Sequence, residues 1–528
     1  MASELQPDFE NASRGLIGSL QPGVVRAADG RPVYNNDAYH FLHAAECTEG
    51  VIIIDPLTSV ECAAAALALY RKHRGQRPVT GTTSIPLVAP EGFVEEAMSE
   101  NIYVGPAMRR RALYMYGAQL PKAPDGQIGC GIGMAVSTGM TSFVPPNTMV
   151  TSTGEERTID GVRIQFQLVP ETEAPAEMNF FFPDHRALYI AECATHSLHN
   201  IITLRGALVR DAKAWARYLD ESLVLFGHAS DVLFAGHNWP TWGQKEIEQM
   251  ISEQRDVYAY LHDQTVRMMN QGLTGIEIAE TMTLPPALQT AWHVQGFYGS
   301  VSHIVKGIYQ RYMGWFDGNP AHLWEYPPVE NARRYVACMG GIDQVVGKAE
   351  RFAQDGDFRF AATLLGHAVS LDPHHEKSRR TLAWVFEKLG FGAENATWRN
   401  FYLSAARDLR GEPQNNPMPQ SRELNPGQSV EQWLTLLSVR LDGPQAANEA
   451  FTLDIDVTDE QRWRLILSNG VLTSRKASDR AAFPGKPGFT MSLAKQRLRE
   501  ILSGQPDLDG VDSEGDAALL HRLLALTA

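Results

Sequence analysis

The stretch from Tyr189 to Asp211, YIAECATHSLHNIITLRGALVRD, concentrates side chains that can do chemistry. Six of its residues offer one carboxylate, two imidazoles, an amide and two guanidinium groups: Glu192, His196, His199, Asn200, Arg205 and Arg210. Carboxylates and histidines suit a divalent metal. Histidine and arginine suit protonation and charge neutralisation of an anionic leaving group. The cluster predicts a metal and anion site. The alternative is a helix N-terminus whose polar residues face water.

The elements around this cluster place its carboxylate at a strand end. The apolar run Ala187–Ala191 predicts a buried strand that delivers Glu192. A second strand, over Asp231–Ala235, is followed by His237, and Glu173 lies in a proline-bounded loop between two alternating strands. Ligands at several strand ends, each on its own loop, are how a metal hydrolase builds its site.

The overall composition describes an ordinary globular protein. With 528 residues, the chain is too long for one core, and roughly three domains are expected at about 150 residues each. A hydrophobic content of 44% and a charged content of 20% fit this class. The formal net charge of -14 argues against nucleic acid as a partner, because that binding depends on clustered Lys and Arg.

The cysteines and the N-terminal residues predict a cytoplasmic location. The five cysteines are scattered and form no CxxC pair, which favours a reducing compartment over a disulfide framework or a zinc ribbon. The first residues show neither a basic segment nor an apolar segment of the kind found in signal peptides. No apolar run approaches the length needed to span a bilayer, so a soluble protein is expected.

Changes in pattern along the chain predict three domains and a linker. Residues 1–244 alternate strand and helix signals, which is typical of an α/β domain. Residues 245–411 are nearly all helical in pattern, and residues 412–428 are rich in Pro, Asn, Gln and Ser, as in a linker. Residues 429–528 read as a separate small α/β unit.

Several long motifs resemble those of the alkyl sulfatases of the metallo-β-lactamase superfamily, enzymes that hydrolyse dodecyl sulfate and related esters. The matching stretches are RPVYNNDAY from Arg31, APEGF from Ala89, TEAPAEM from Thr172, AECATHSLHNIITLRGALVRD from Ala191, HNWPTWG from His237, FYGSVSH from Phe297 and YQRYMGWFDGNP from Tyr309. The resemblance covers nearly the whole chain. It implies a metallo-β-lactamase-like αββα sandwich, an all-α dimerisation domain and a small α/β sterol-carrier-like C-terminal domain.

The resemblance also implies roles for individual residues at a two-zinc site. Glu173, Glu192 and His237 match metal ligands, with Glu192 in the bridging position. His199 resembles the catalytic residue that assists sulfate departure, and Arg205 resembles a catalytic, sulfate-binding arginine. Asn200 and Tyr298 resemble residues that line the substrate site. A homodimer acting on alkyl sulfate esters, with a zinc-activated water as the nucleophile, is the implied function.

One departure from the family pattern changes these expectations. The HxHxDH metal motif of the family follows the RPVT strand, but here Thr80 leads through Gly81–Ile85 directly to Pro86, and no HxH occurs anywhere in the sequence. Because a zinc ion generally takes about four ligands, we expect a truncated sandwich, single or weak metal binding and impaired hydrolysis. The alternative is a non-catalytic, dimeric pseudoenzyme that binds alkyl chains or lipids. A thioesterase is disfavoured by Arg205 and Arg210.

Overall fold

The structure is a computed structural model that describes residues 25–26, 32–33, 43–46, 50–57, 59–76, 78–79, 85–134, 136, 139–140, 143–412, 424, 427–458, 460–477 and 485–527. The chain divides into two units. The first takes its described residues from Met1–Phe93, Ala107–Ser142 and Pro146–Asn416, and the second from Val94–Pro106, Phe143–Pro145 and Pro417–Ala528. Each unit has its own hydrophobic core.

The strands of the described residues are short, as is usual in mixed sheets. In chain order they are β1 Val25–Arg26, β2 Pro32–Val33, β3 His43–Glu46, β4 Val51–Ile54, β5 Val88–Pro90, β6 Thr148–Val150, β7 Glu156–Ile159, β8 Val162–Leu168, β9 Met178–Phe182, β10 Ala187–Tyr189, β11 Val232–Phe234, β12 Thr241–Trp242, β13 Phe451–Val457, β14 Arg462–Ser468, β15 Val471–Lys476, β16 Phe489–Leu493 and β17 Asp512–Gly515.

The helices dominate the middle of the chain. In chain order they are α1 Val60–Arg74, α2 Phe93–Tyr103, α3 Gly105–Met115, α4 Ala212–Phe226, α5 Gln244–Asn270, α6 Gly275–Thr281, α7 Pro286–Thr290, α8 Val301–Met313, α9 Pro328–Cys338, α10 Ile342–Gln354, α11 Phe358–Leu371, α12 Glu376–Phe391, α13 Ala396–Arg410, α14 Val430–Arg440, α15 Gly443–Ala446, α16 Lys495–Leu502 and α17 Ala518–Leu526. Short 3-10 turns lie at Pro183–His185, Gly227–Ala229, Trp292–Val294 and Pro320–His322.

A six-stranded sheet in the order β12-β11-β10-β9-β8-β7 forms the centre of the first unit. Strands β10 and β11 are parallel, with Tyr189 opposite Phe234, and their other neighbours are antiparallel. Helix α4 connects β10 to β11, as a parallel pair requires. The segments that follow β10 and β11 therefore leave the sheet at the same edge, which is where α/β sheets bind ligands.

Alternation of side chains along these strands covers both faces of the sheet. Phe181 and Leu188 pack with helices α4 and α5 in one core cluster. Phe180 and Tyr189 point the other way and stack with ring centroids 4.6 Å apart, in a second cluster that includes Ile54 of β4 and residues of β6. Successive residues of a strand face opposite sides, so one aromatic-rich segment serves both cores. The mixed α/β class expected from the sequence is confirmed.

Most predicted elements are present with small shifts at their ends. The strand predicted over Ala187–Ala191 ends at Tyr189. Helix α1 begins after Ser59, whose side chain accepts the N–H of Cys62 as its cap. Val79, in the stretch that leads toward the expected HxHxDH position, forms an isolated parallel β-bridge with Val51. Residues 80–84, where that motif is missing from the sequence, lie outside the described residues.

Helices α5 to α13 build the remainder of the first unit. Helix α5 packs on α4 and α8 and brings Tyr258 into the core of the sheet. Helices α10, α11 and α12 pack as successive neighbours around a small core of alanine, valine and leucine, within the range whose pattern predicted helices. No helix of the described ranges is both long enough and apolar enough to cross a lipid bilayer.

The second unit contains a five-stranded sheet in the order β15-β14-β13-β16-β17. Its core packs Trp433 and Leu437 of α14 with Leu453, Ile455 and other strand residues. A capping box at Ser429 begins α14, in agreement with the helix predicted from that residue. This sheet and its helices agree with the mixed α/β character expected for the C-terminal residues, whereas the boundary at residue 429 stays a prediction.

Candidate active site

Glu192 sits at the carboxyl end of β10, next to the end of β11. The chain turns sharply there, because Ala191 has a φ of 46° and its carbonyl accepts the N–H of Gly236 at 2.9 Å. A side chain at Gly236 would have its Cβ 3.2 Å from Oδ2 of Asp55 and 3.6 Å from Cγ of Glu192. Only glycine leaves room for two carboxylates to approach this turn. Residues 192–211 form an irregular segment rather than the first turns of a helix, so the helix N-terminus alternative is wrong.

Two imidazoles contact the Glu192 carboxylate, one on each oxygen. Nε2 of His237 contacts Oε1, and Nε2 of His199 lies 3.1 Å from Oε2. Burial disfavours the charged form of Glu192, but His237 and His199 outweigh that effect and hold its pKa well below the ordinary value. Glu192 is therefore an anion enclosed by histidines.

The orientation of His199 is fixed by its other ring nitrogen. Nδ1 lies 2.8 Å from the backbone oxygen of Asn200, and because a carbonyl can only accept, Nδ1 carries a proton. Nε2 is then the atom that faces Glu192. The ring is held edge-on by Tyr298, with centroids 4.9 Å apart, and Tyr258 donates to the backbone oxygen of His199 at 3.0 Å. A histidine whose second N–H is bound to a carbonyl has the arrangement typical of metal ligands.

Arg210 connects the Glu173 loop to the Asn200 segment. Its guanidinium donates to the carboxylate and to the backbone oxygen of Glu173, and Nη1 donates to Oδ1 of Asn200 at 2.7 Å and to its carbonyl at 3.0 Å. Burial disfavours its charge, yet the Glu173 carboxylate raises the pKa of Arg210 above its usual value. Arg205 is close enough to Arg210 for the two charges to repel. Arg210 therefore borders the carboxylate cluster, and Arg205 lies within electrostatic reach of Arg210.

Glu177 ties the two carboxylate-bearing loops together. Its Oε2 accepts the hydroxyl of Thr172 at 2.6 Å and the backbone N–H groups of Glu173 and Ala174, and Oε1 accepts the N–H of Glu192 at 3.2 Å. Burial, with repulsion from Glu173 and Glu192, raises the pKa of Glu177 to about 8. These hydrogen bonds fix the backbone at Glu173 and at Glu192, the two candidate ligands.

Most of the residues singled out from the sequence meet in this region, whereas the ring of His196 stacks on Trp239 and meets Thr241. Ligand atoms of Glu173, Glu192 and His199 lie within 4.8 Å of one another, so the three could share a metal ion. His237 contacts the same Glu192 carboxylate, Asn200 is bound by Arg210, and Tyr298 packs on His199. The carboxylates, histidines and arginines thus form one cluster at the sheet edge.

Comparisons with known proteins match the whole chain. The alkyl sulfatase dimerisation family matches residues 274–412, and the alkyl sulfatase C-terminal family matches residues 421–527. A linear primary-alkylsulfatase of Pseudomonas sp is 39% identical over 542 aligned residues, which cover 97% of this chain and 80% of that protein. This chain belongs to the alkylsulfatase family. An alkyl/aryl-sulfatase of Saccharomyces cerevisiae is 36% identical, with coverage of 88% and 83%.

Solved alkylsulfatase structures agree with this assignment. The stereoselective inverting sec-alkylsulfatase Pisa1 from Pseudomonas sp. superposes with a TM-score of 0.88 at 32% identity, covering 99% of this chain and 95% of its own. A double mutant of the same sec-alkyl sulfatase superposes with a TM-score of 0.87 at 36% identity, covering 94% and 82%. The family and the fold expected from the motifs are therefore confirmed.

The donors of this alkylsulfatase-family chain fit one divalent cation rather than two. Glu173, Glu192 and His199 bring three ligand atoms within reach of one cation, and His237 contacts the Glu192 carboxylate beside them. Four ligands complete one zinc site, whereas two ions would need about twice that number. The sequence contains no HxH motif to supply more histidines. Arg210 moreover already neutralises the carboxylate of Glu173.

Three residues that shape the site received no role from the sequence. Arg210 was one of the polar residues of the opening cluster, but its partner Glu173 lies 37 residues earlier, a distance that no local pattern reveals. Glu177 was read as part of a polar loop, and only its four hydrogen bonds show its function. Asp55 follows the apolar run of β4, and its Oδ2 accepts from Tyr189 at 3.4 Å. The position of Asp55 directly after an apolar run is a sequence signal that could have indicated its place near the site.

Proposed function

We propose that this chain hydrolyses alkyl sulfate esters, of the dodecyl sulfate type, to an alcohol and sulfate at the Glu173–Glu192–His199 cluster. The observation that supports it most directly is the pairing of the metal-capable cluster with Arg210, which borders it, and with Arg205, which lies within electrostatic reach of Arg210. A sulfate ester needs both parts, a means of activating water and positive charge for the departing anion. The alkylsulfatase relatives carry names consistent with this reaction.

Each protein group has a distinct task in this proposal. Arg205 meets sulfate oxygens with parallel N–H donors, as guanidinium groups do with oxyanions. His199 hydrogen-bonds or protonates the departing oxygen, or it binds the metal through Nε2, and its fixed Nδ1–H allows only one of these at a time. Glu173, Glu192 and His237 would hold the metal. Bound zinc would lower the pKa of water to about 7, which supplies a nucleophile at neutral pH.

We further propose that this centre holds a single zinc ion and that hydrolysis is slower than in relatives with the complete motif. Within the described residues three candidate ligands converge and His237 contacts one of them, Glu192, while Glu173 is already paired with Arg210. A metal must compete with that guanidinium for the carboxylate. The arginines that would bind the sulfate group are present, whereas the candidate metal ligands are no more than one zinc ion needs.

We also propose a homodimer built by the helical part. Residues 312–329 fall within the segment matched by the alkyl sulfatase dimerisation family and expose several large apolar side chains, among them Trp315, Leu323, Trp324 and Tyr326. Trp324 is 96% exposed. Apolar residues grouped in this way mark protein interfaces. The divisions at residues 1–244, 245–411, 412–428 and 429–528, the sterol-carrier character of the last part and a cytoplasmic location stay predictions.

The experiment is sulfate release from dodecyl sulfate by the purified full-length chain, measured by ion chromatography during a zinc titration. We expect slow release that saturates with zinc and falls at least about 100-fold in R205Q. The exposed Arg217 of α4 provides the control, since R217Q should keep the wild-type rate. Absence of release at every zinc concentration, together with retained dodecyl sulfate binding, would favour the non-catalytic alternative.

A further inference from the structure

His303, on the first turn of α8, is a buried histidine to which the proposed reaction assigns no role. Its side chain is 6% exposed and lies against Trp398 of α13. The indole N–H of Trp398 donates to Nδ1 of His303 at 3.0 Å. Because indole is only a donor, Nδ1 must be the unprotonated nitrogen, and Nε2 carries the proton.

The Nε2–H group of His303 makes no hydrogen bond within the described part of the chain. Buried polar groups are nearly always paired, since an unmet donor loses its water without compensation. Burial, with smaller contributions from Lys306 and His199, lowers the pKa of His303 to about 4. At neutral pH the ring is therefore uncharged, and the hydrogen bond from Trp398 keeps its proton on Nε2.

Helix α8 presents this face to the anion-binding segment. One turn after His303, Gly307 lies so close to Ile202 that an added Cβ would be 2.9 Å from Cγ2. Residues four apart share a helix face, so His303 belongs to the face that packs on Ile201 and Ile202, which follow His199 and Asn200 in the chain. The loop before α8 joins the same segment, with the N–H of Gly299 donating to the oxygen of Leu198 at 2.6 Å.

We propose that His303 is a substrate-binding residue whose Nε2–H donates to an oxygen of the bound sulfate group, with Trp398 fixing the tautomer that makes this possible. The inference deepens the proposed function and rests on it. A sulfate ester offers only acceptor oxygens at neutral pH, so a neutral, permanently oriented donor suits it. Arg205 supplies positive charge to the sulfate group, whereas His303 supplies an oriented hydrogen bond from a neutral ring. His303 therefore adds nothing to the repulsion between Arg205 and Arg210.

The test is the affinity of the full-length chain for inorganic sulfate, measured by isothermal titration calorimetry. H303F keeps the ring and removes the donor, and we expect it to weaken sulfate binding about tenfold. H303Q places an amide N–H near the position of Nε2 and should recover most of that loss. W398F removes only the group that fixes the tautomer and should weaken binding about threefold.

A matched control is H262F, because both ring nitrogens of the buried His262 are already engaged, by Asp263 and Tyr312. It should leave sulfate affinity unchanged. Unchanged affinity in H303F overturns the proposal, and should H303F fail to fold, unchanged affinity in W398F does so. Loss of binding in R205Q but not in H303F removes only the role of His303, whereas no effect of either variant also removes the proposed anion site.

Discussion

Nε2 of His199 lies 3.1 Å from Oε2 of Glu192, while Nδ1 of the same ring is held 2.8 Å from the oxygen of Asn200. Because Nδ1 directs its proton to the oxygen of Asn200, Nε2 of the neutral ring faces the carboxylate with its lone pair. A lone pair facing a carboxylate oxygen is unfavourable unless a cation lies between them or the nitrogen binds a proton. The pair therefore defines the place where a cation or a proton is held.

The first prediction concerns the number of metal ions at this place. The wild-type chain, dialysed against excess zinc and then against metal-free buffer, should retain at most one zinc per chain by elemental analysis. E192A should retain none, because Glu192 is contacted by both histidines. H199A and H237A should each weaken binding at least about tenfold in competition with a chromophoric chelator.

The control for the metal measurement is E155Q, which changes a carboxylate that pairs with Arg157 elsewhere in the unit. Its zinc content should equal that of the wild type. Two zinc ions per chain in the wild type would contradict the single-ion site and would require ligands beyond the four described here.

A second prediction follows from the buried pair of Arg210 and Glu173. R210M leaves the Glu173 carboxylate without its cation, which should lower the free energy of unfolding by roughly 3 kcal/mol. Added zinc should restore part of that loss, because the freed carboxylate becomes available to the metal. Urea unfolding with and without zinc measures both effects. R186M, at the exposed pair with Asp231, should be indistinguishable from the wild type, and an equal loss there would contradict a special role for Arg210.

The sequence predicted the positions of candidate site residues at strand ends better than it predicted the contacts that hold them, and the roles of these residues stay predictions. Strand periodicity placed Glu192 and His237 correctly, because a parallel pair needs apolar strands that end at one edge. The hydrogen bonds of Glu177 and Arg210 depend instead on loops that meet only in the folded chain. The partner of His303, Trp398, is 95 residues away and gives no local signal. Loop-to-loop contacts of this kind were the part that sequence patterns could not supply.

A third prediction tests the close contact between the Gly299 loop and the anion-binding segment. A Cβ at Gly299 would lie 2.6 Å from the oxygen of Leu198 and 2.9 Å from the nitrogen of Asn200, and backbone atoms cannot give way easily. G299A should therefore cost roughly 1–3 kcal/mol of stability and weaken sulfate binding as well. Thermal unfolding and sulfate titration report the two effects.

The matched control for this substitution is Gly347, inside α10, where an added Cβ meets nothing within 4 Å. G347A should be neutral or stabilising by up to about 1 kcal/mol, because alanine favours the helix. Equal behaviour of G299A and G347A would show that the loop can move away from residues 198–200 without cost.

A fourth prediction concerns acid sensitivity at His196, whose ring stacks on Trp239 at 4.4 Å. Burial, with the charge of His293, lowers the pKa of His196 to about 4. The unfolded chain, with a pKa of about 6.5, binds more protons between pH 6.5 and 4. The contribution of His196 to stability is therefore complete above pH 6.5 and is lost as the pH falls toward 4.

H196F keeps the ring and removes the titration, so its unfolding free energy should fall by roughly 2 kcal/mol less than that of the wild type between pH 7 and 4.5. Urea unfolding at the two pH values is the measurement. His322 supplies the control, since its pairing with Asp317 raises the pKa and makes its contribution fade as pH rises. H322N should not reduce the acid sensitivity, and a reduction equal to that of H196F would contradict the assignment.

The last prediction concerns the exposed apolar residues of the segment 312–329. Trp324 and Trp315 are 96% and 76% exposed and lie within the region matched by the dimerisation family. The double variant W315S/W324S should shift the chain from dimer to monomer in sedimentation equilibrium, because large aromatic side chains dominate interface energies. Trp242 is 70% exposed but lies outside the matched region, so W242S should remain dimeric. A wild-type chain that sediments as a monomer would contradict the proposed homodimer. A dimer that survives the double substitution would show that the interface lies elsewhere.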